Sequence, residues 1–147
     1  MSTIKEIALL LSRVLFGVIL IAHGWDKFQI TGLEGITGYF DSLGIPAASL
    51  AAPAVGVIEL IGGIMILLGA FTRVVAVIIA VVMLGAAVFA HASFGIYAAN
   101  GGWELVGAIG AGMLALFAIG AGAWSIDALI ARNKSTTAAD EKQLITA

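Results

Sequence analysis

Four long stretches of the chain are almost entirely apolar, and shorter polar segments separate them. The apolar stretches cover about residues 4–23, 49–68, 73–92 and 103–121. A helix needs about 20 residues to cross the roughly 30 Å hydrocarbon core of a bilayer, and each stretch is close to that length. The pattern therefore predicts an all-α integral membrane protein in which four helices form a bundle.

The connections between these stretches differ in length and character. The longest, residues 24–49, is polar, glycine-rich and aromatic. Within it Leu33, Ile36, Phe40 and Leu43 recur at helical spacing, which predicts a short helix over about 34–43 that lies in the membrane interface. The segment between the second and third stretches is long enough only for a tight turn, so these two helices should be antiparallel neighbours.

Composition agrees with a membrane location and narrows the function classes. Of the 147 residues, 61% are hydrophobic and 11% are charged, with a mean hydropathy of +1.12; about a quarter of the residues of a soluble domain are charged. Cysteine is absent, which excludes disulfides, thiolate metal sites and thiol redox chemistry by the chain itself. The net charge of −2 and the lack of a basic patch argue against a nucleic-acid partner.

The basic residues fall unevenly on the two sides of the predicted bundle. One side holds only Lys27, and the other side holds the remaining basic residues outside the membrane, namely Lys5, Arg73, Arg132, Lys134 and Lys142. The positive-inside rule then places both termini in the cytoplasm. We expect residues 1–131 to form a single membrane domain and residues 132–147 to form a disordered cytoplasmic tail, because that tail is polar and poor in aromatic residues.

Two opposite charges lie near the centres of the first two apolar stretches. Arg13 interrupts the first, and Glu59 interrupts the second. Because a charge at mid-membrane costs on the order of 3 kcal/mol, each needs a partner, and an intramembrane Arg13–Glu59 pair is predicted. Two interpretations stay open: the pair locks two helices together, or it binds a polar headgroup or relays a proton.

Small residues flank both of these charges. Gly17 lies one helical turn from Arg13, and Gly56, Gly62 and Gly63 lie within one turn of Glu59. Since small residues let helices approach closely in a membrane, these four positions are predicted helix-packing sites.

A second group of polar residues falls at the predicted helix ends on the opposite side from the termini. It contains His23, Lys27, His91 and Glu104, which would form an outer polar pocket. Imidazole and carboxylate groups are ligands for zinc, and two facing histidines could hold a haem. No diagnostic ligand spacing is present, however, so no metal site is assigned. The alternative is that water and lipid headgroups satisfy these side chains. The sequence assigns no catalytic residue.

Taken together, these motifs resemble the DoxX family of small bacterial membrane proteins with four helices. The resemblance rests on Arg13-x-x-Phe16-Gly17, His23-Gly24-x-x-Lys27, Gly44-Ile45-Pro46, Gly56-x-x-Glu59-x-x-Gly62-Gly63, Gly69, Thr72-Arg73 and His91. It implies a protein of the bacterial cell membrane with a role in membrane redox metabolism. Related proteins are associated with thiosulfate:quinone oxidoreduction, and an actinobacterial relative with a complex that links superoxide dismutase and a sulfurtransferase.

Two functional hypotheses follow from this resemblance and from the absence of cysteine. In the first, the chain is an accessory or anchor subunit of a redox complex, contacts a quinone and is not catalytic on its own. Its partners would be membrane redox proteins or further copies of itself. In the second, it is a small transporter or lipid-binding protein.

Overall fold

The computed structural model describes residues 2–134. Five α-helices occupy most of this part of the chain: α1 (Thr3–Trp25), α2 (Gly32–Ser42), α3 (Ala48–Leu68), α4 (Thr72–Ala86) and α5 (Glu104–Ile119). Residues 126–134 are also helical, and no strand occurs within residues 2–134. The predicted all-α membrane fold is confirmed.

Two of the helices continue beyond their regular α-helical parts through a π-helical turn. Asp26–Ile30 extends α1, and Ala87–His91 extends α4 into a short 3₁₀ turn at Ala92–Phe94. Including these extensions, three helices are long and apolar enough to cross a membrane: Thr3–Ile30, Ala48–Leu68 and Thr72–Phe94. The fourth apolar helix, α5, has 16 residues and spans about 24 Å. Four membrane crossings therefore stay a prediction.

Glycines set how α1 and α3 pack against each other. A Cβ atom built at Gly17 would lie 2.9 Å from the carbonyl oxygen of Gly63, and one built at Gly24 would lie 2.5 Å from the backbone nitrogen of Leu60. At these two points the helix backbones are too close for a side chain. The two helices are antiparallel, with Gly17 beside Gly63 and Gly24 beside Leu60.

The turn between α3 and α4 is as short as its sequence predicts. Gly69 and Phe71 both adopt left-handed backbone conformations, at φ of 68° and 48°. The carboxylate of Asp127 accepts hydrogen bonds from the backbone N–H groups of Phe71, at 2.7 Å, and of Thr72, at 2.9 Å. This side chain therefore caps the N-terminus of α4 from a distant part of the chain.

The buried core lies between α1, α3, α4 and α5, and its largest apolar members come from all four helices. It contains Leu20, Ile66, Val75, Ala76, Ile79, Met83, Ile109, Met113 and Leu116. The outer faces of the same helices expose large apolar side chains such as Leu15, Val81 and Leu114. Contact with lipid explains this exposure, because the hydrocarbon core of the bilayer does not penalise it.

The predicted short helix between the first two membrane helices corresponds to α2, at Gly32–Ser42. It packs against α3 and buries Ile36. At the other end of the chain, residues 132–134 are helical although disorder was expected from residue 132. The rest of that tail, residues 135–147, lies outside the described residues.

Candidate functional site

A large cavity lies at the end of the bundle where α1 ends and α3 begins. Its volume is about 520 Å³, within the range of about 300–1,000 Å³ that is typical of small-molecule sites. Every helix from α1 to α5 contributes to its wall. Most of the wall is apolar, including Ile36, Phe40 and Leu43 of α2, Met83 of α4 and Ile109 of α5.

The ionisable side chains that line this cavity are few and come from three elements. They are His23 and Lys27 at the end of α1, Glu59 in α3 and His91 at the end of α4, with the phenol of Tyr39 from α2. Three of the four residues of the predicted outer pocket, His23, Lys27 and His91, therefore reach one cavity, and Glu59 joins them there. We call these four ionisable residues the cavity-end group.

The fourth predicted member, Glu104, does not line the cavity. Its Oε1 accepts a hydrogen bond of 2.8 Å from the backbone N–H of Ala98, which braces the loop before α5. The same loop holds His91, because the imidazole Nδ1 lies 2.6 Å from the carbonyl oxygen of Gly101. A carbonyl oxygen only accepts, so Nδ1 carries the proton. Glu104 thus supports the loop that orients His91.

Glu59 forms an ion pair with Lys27, and the distance from Nζ to Oε2 is 2.6 Å. The side chains are 13% exposed for Lys27 and 7% exposed for Glu59. Gly56 makes room for this approach, since a Cβ atom there would lie 3.5 Å from the Cβ of Lys27 and 3.0 Å from the ring of Phe28. The carboxylate in the middle of the second apolar stretch is therefore neutralised from the end of the first helix.

The predicted pair between Arg13 and Glu59 is not formed, which corrects the expectation from sequence. The packing of Gly17 beside Gly63 leaves Glu59 level with the last turn of α1, roughly eleven residues and about 15 Å along the helix from Arg13. Equal distance from the ends of two apolar stretches did not mean equal depth, because α1 extends to Ile30 and antiparallel packing shifts the two helices past each other.

Arg13 lies instead at the opposite end of the bundle from the cavity, and it is 1% exposed. Its Nη2 donates a 2.5 Å hydrogen bond to the carbonyl oxygen of Trp124, and the carboxylates of Asp127 and Glu6 are its charged neighbours. Among residues 2–134, Nε and Nη1 have no hydrogen-bond partner. Arg13 is therefore held mainly by packing and by charge. We call Glu6, Arg13, Trp124 and Asp127 the Arg13 knot.

The four predicted packing glycines contact three different elements. Gly17 and Gly63 meet each other between α1 and α3, Gly62 faces Ile79 of α4, and Gly56 faces the π-helical turn after α1. None of them brings Arg13 close to Glu59. They instead position α3 between α1 and α4.

Sequence reasoning missed the partner of Glu59, although a signal for it was present. Arg13, Gly17, Leu20 and Gly24 recur at alternating spacings of four and three residues, and Lys27 continues that series. The buried face of α1 therefore leads directly to Lys27. The first apolar stretch ends at residue 23, whereas the helix continues through a π-helical turn to Ile30.

Both π-helical turns carry a residue of the cavity-end group. Lys27 lies in the turn after α1, and His91 lies in the turn after α4. A π-helical turn inserts one extra residue per turn and changes the direction in which its side chains point, and such turns are frequent at functional sites. These two turns bring Lys27 and His91 to the same cavity.

Within residues 2–134, no group of three or more His, Asp or Glu side chains could hold a metal ion. The zinc alternative considered for the outer pocket therefore gains no support from the geometry, whereas a haem held by two histidines stays untested. The arrangement is instead an apolar chamber with a few convergent polar groups, which is the usual form of a small-molecule site.

Comparison with known proteins identifies several relatives. The family model described as DoxX matches residues 8–92. The "Inner membrane protein YqjF" of Escherichia coli is 34% identical over 134 residues, which cover 88% of this chain and 97% of that protein. The "Uncharacterized membrane protein Rv3486" of Mycobacterium tuberculosis is 32% identical over 137 residues, covering 86% of this chain and 83% of that protein.

The name of a further relative refers to an enzymatic activity. The "Putative oxidoreductase CatD" of Bacillus subtilis is 44% identical over 81 residues. The match covers 55% of this chain and 58% of that protein. No solved structure matches the chain.

Proposed function

Because the chain belongs to the DoxX family of membrane proteins, we propose that it is an accessory subunit of a membrane redox complex and that its cavity binds a quinone. The observation that carries this proposal is the cavity of about 520 Å³. Its wall is apolar except for the cavity-end group and Tyr39. Such a wall suits a flat apolar ring that carries a few polar atoms.

The charges of the cavity favour a neutral ligand. Lys27 and Glu59 compensate each other at 2.6 Å. An ionic ligand would add a charge that the apolar wall does not compensate, and uncompensated charge is costly at low dielectric. A quinone is uncharged, and the ammonium of Lys27 and the phenol of Tyr39 supply donors for its carbonyl oxygens.

A redox role for the complex is supported by a relative's name and by composition. The B. subtilis relative is named as an oxidoreductase. This chain has no cysteine, so sulfur chemistry would be carried out by a partner protein. When bound, a quinone carries electrons and protons. The residues of this chain would bind its ring, orient it and exclude water from it.

The test is to identify what co-purifies with the protein. The full chain is extracted in mild detergent, and its bound lipids and associated proteins are identified by mass spectrometry. We expect a quinone at roughly one molecule per chain, together with redox proteins. Lys27→Met should lower the amount of quinone, whereas Lys5→Met, which changes an exposed lysine at the other end of α1, should not.

A lipid-binding or transport function is the second candidate. The apolar wall, with Ile36, Phe40 and Leu43 on one side, also suits an acyl chain. Recovery of a defined phospholipid, with no quinone and no redox partner, would favour this candidate and contradict the first.

The orientation proposed from charge places both termini in the cytoplasm, and the cavity-end group would then face the outer side. A cysteine introduced in place of Ser93 should react with a membrane-impermeant thiol reagent in intact cells, because it lies just after the π-helical turn that carries His91. A cysteine in place of Ser135 should be protected until the cells are lysed. The reverse labelling pattern would overturn the orientation.

A further inference from the structure

Glu59 and His91 both line the cavity, and each has a hydrogen-bond acceptor that no other group within residues 2–134 uses. Lys27 donates to Oε2 of Glu59, and Oε1 of Glu59 accepts no hydrogen bond from residues 2–134. Nδ1 of His91 donates to the carbonyl of Gly101. In the neutral ring Nε2 is then an acceptor. Two fixed side chains of the cavity wall each present an unused acceptor atom.

Donors are scarcer in the same part of the cavity. One N–H of Lys27 is committed to Glu59, and another points to the carbonyl oxygen of His23 at 3.5 Å. The phenol of Tyr39 and the imidazole of His23 can each donate or accept. Lys27 keeps one uncommitted N–H. The groups that can only donate therefore offer one hydrogen, whereas those that can only accept offer two atoms, Oε1 of Glu59 and Nε2 of His91.

From this balance we propose that the cavity selects the reduced, hydroxyl-bearing form of its aromatic ligand over the oxidised form. The inference rests on the proposed function and specifies the ligand of the same site. A hydroquinone has hydroxyl groups that donate to Oε1 of Glu59 and to Nε2 of His91. A quinone has only acceptor oxygens, which can take hydrogen bonds from Lys27 and Tyr39 but leave both of these acceptor atoms unsatisfied.

The energetic difference arises because Glu59 is 5% exposed. A bound ring removes the remaining water from its carboxylate. A hydroxyl donor replaces that water with a charge-assisted hydrogen bond, which is stronger than a neutral one. A carbonyl oxygen in the same place leaves the carboxylate oxygen without a donor, and the cost of an unsatisfied buried charged group is large.

The loop between α4 and α5 holds the His91 acceptor in position before a ligand arrives. The carbonyl oxygen of Gly101 accepts a hydrogen bond from Nδ1–H of His91, and Glu104 ties the same loop to the start of α5. The loop is tightly folded, since a Cβ atom at Gly102 would lie 2.5 Å from the carbonyl oxygen of Gly95. An acceptor fixed in advance loses little side-chain entropy when a ligand binds.

The test compares the two oxidation states of one probe. A para-benzoquinone with a short alkyl tail and its para-hydroquinone form are titrated anaerobically, by calorimetry, into the full chain in detergent. We expect the hydroquinone to bind at least about tenfold more tightly, since one to two additional hydrogen bonds to the acceptors of Glu59 and His91 are gained.

Two substitutions assign this preference to the named atoms. Glu59→Gln replaces a carboxylate oxygen with an amide N–H donor, so the preference should disappear or reverse. In His91→Asn the amide nitrogen can still donate toward Gly101, but no atom replaces Nε2, so the preference should fall by several fold. Glu34→Gln, an exposed change in α2 that does not line the cavity, should leave the ratio unchanged.

The outcomes separate this inference from the proposed function. Equal affinity for the two forms, or tighter binding of the quinone, would overturn the inference and leave a quinone site standing. Failure of both forms to bind would overturn the proposed function as well. If Glu59→Gln does not fold, the ratio measured for His91→Asn decides, and an unchanged ratio in that variant would contradict the inference.

Discussion

The Arg13 knot and the cavity-end group lie at opposite ends of the bundle, and both contain buried charge. Arg13 is enclosed: one hydrogen bond goes to a backbone carbonyl, and its guanidinium lies so close to Gly69 that no side chain fits there. The cavity-end group borders an open volume of about 520 Å³. One end is filled with protein, and the other leaves room for a ligand.

This difference indicates which charges are structural and which are available for function. The knot connects the two ends of the described chain, since the backbone N–H of Ala123 donates to Glu6 of α1 and Asp127 caps α4. The Lys27–Glu59 pair joins only the end of α1 to α3, beside the cavity. Substitutions in the knot should therefore change stability, whereas substitutions in the cavity-end group should change ligand binding more than stability.

The largest effect is expected from Gly69→Ala. A Cβ atom at this position would overlap Nη1 of Arg13 and lie 2.5 Å from the Cβ of Ser125, with φ at 68°. We expect a loss of about 3 kcal/mol in the free energy of unfolding, from steric overlap added to left-handed strain. Thermal unfolding in detergent measures it.

Gly44→Ala is the matched control for that change. Gly44 also has a positive φ, of 70°, but nothing lies within 4 Å of a Cβ atom built there. This variant should lose about 1–2 kcal/mol in the free energy of unfolding, from left-handed backbone strain alone. If the two variants lose the same stability, Gly69 is not packed against Arg13 as described.

An effect of similar size is expected from Arg13→Gln. This change removes the positive charge beside Glu6 and Asp127, and we expect the free energy of unfolding to fall by about 3 kcal/mol. Combined with Glu59→Gln it should be additive within about 0.5 kcal/mol, because groups that are far apart and share no partner do not couple. A double-mutant cycle by thermal unfolding tests this. A coupling above about 1 kcal/mol would mean that Arg13 and Glu59 do meet.

A smaller effect on stability is expected from separating Lys27 and Glu59. Lys27→Met should cost about 2 kcal/mol, less than for a fully buried pair because Lys27 keeps some contact with water. In a cycle with Glu59→Gln the two changes should be non-additive by about 1–2 kcal/mol. Additive behaviour, measured in the same unfolding assay, would contradict the pairing.

The smallest effect is expected from Asp127→Asn. An amide oxygen can still accept one of the two N–H bonds at the start of α4, but the negative charge near the helix N-terminus and near Arg13 is lost. We expect a loss of about 1 kcal/mol in unfolding free energy. Binding of the hydroquinone probe should be unchanged, and a loss of binding in this variant would show that the two ends of the bundle are coupled.

Much of the fold was predictable from local pattern. The four apolar stretches, the short helix before Ala48 and the tight turn at Gly69 follow from hydrophobicity and turn chemistry, which act between residues close in sequence. With their π-helical and 3₁₀ extensions included, the described helices lie within about three residues of the predicted bounds, apart from the end of α1, which reaches Ile30. The candidate site was only partly predictable: His23, Lys27 and His91, which were expected to share a pocket, all line the cavity, but Glu59 was assigned to Arg13.

The sequence alone specifies the buried charges and the small residues that permit close packing. It established that Arg13 and Glu59 each need a partner, because an unpaired charge is costly in a bilayer. Only the tertiary structure decided which partner each has. The choice depends on the register between α1 and α3, which the close contacts of Gly17 and Gly24 set. It also depends on two π-helical turns that have no sequence signature here. A shift of a few residues between antiparallel helices changes every pairing across them, and no local pattern records that shift.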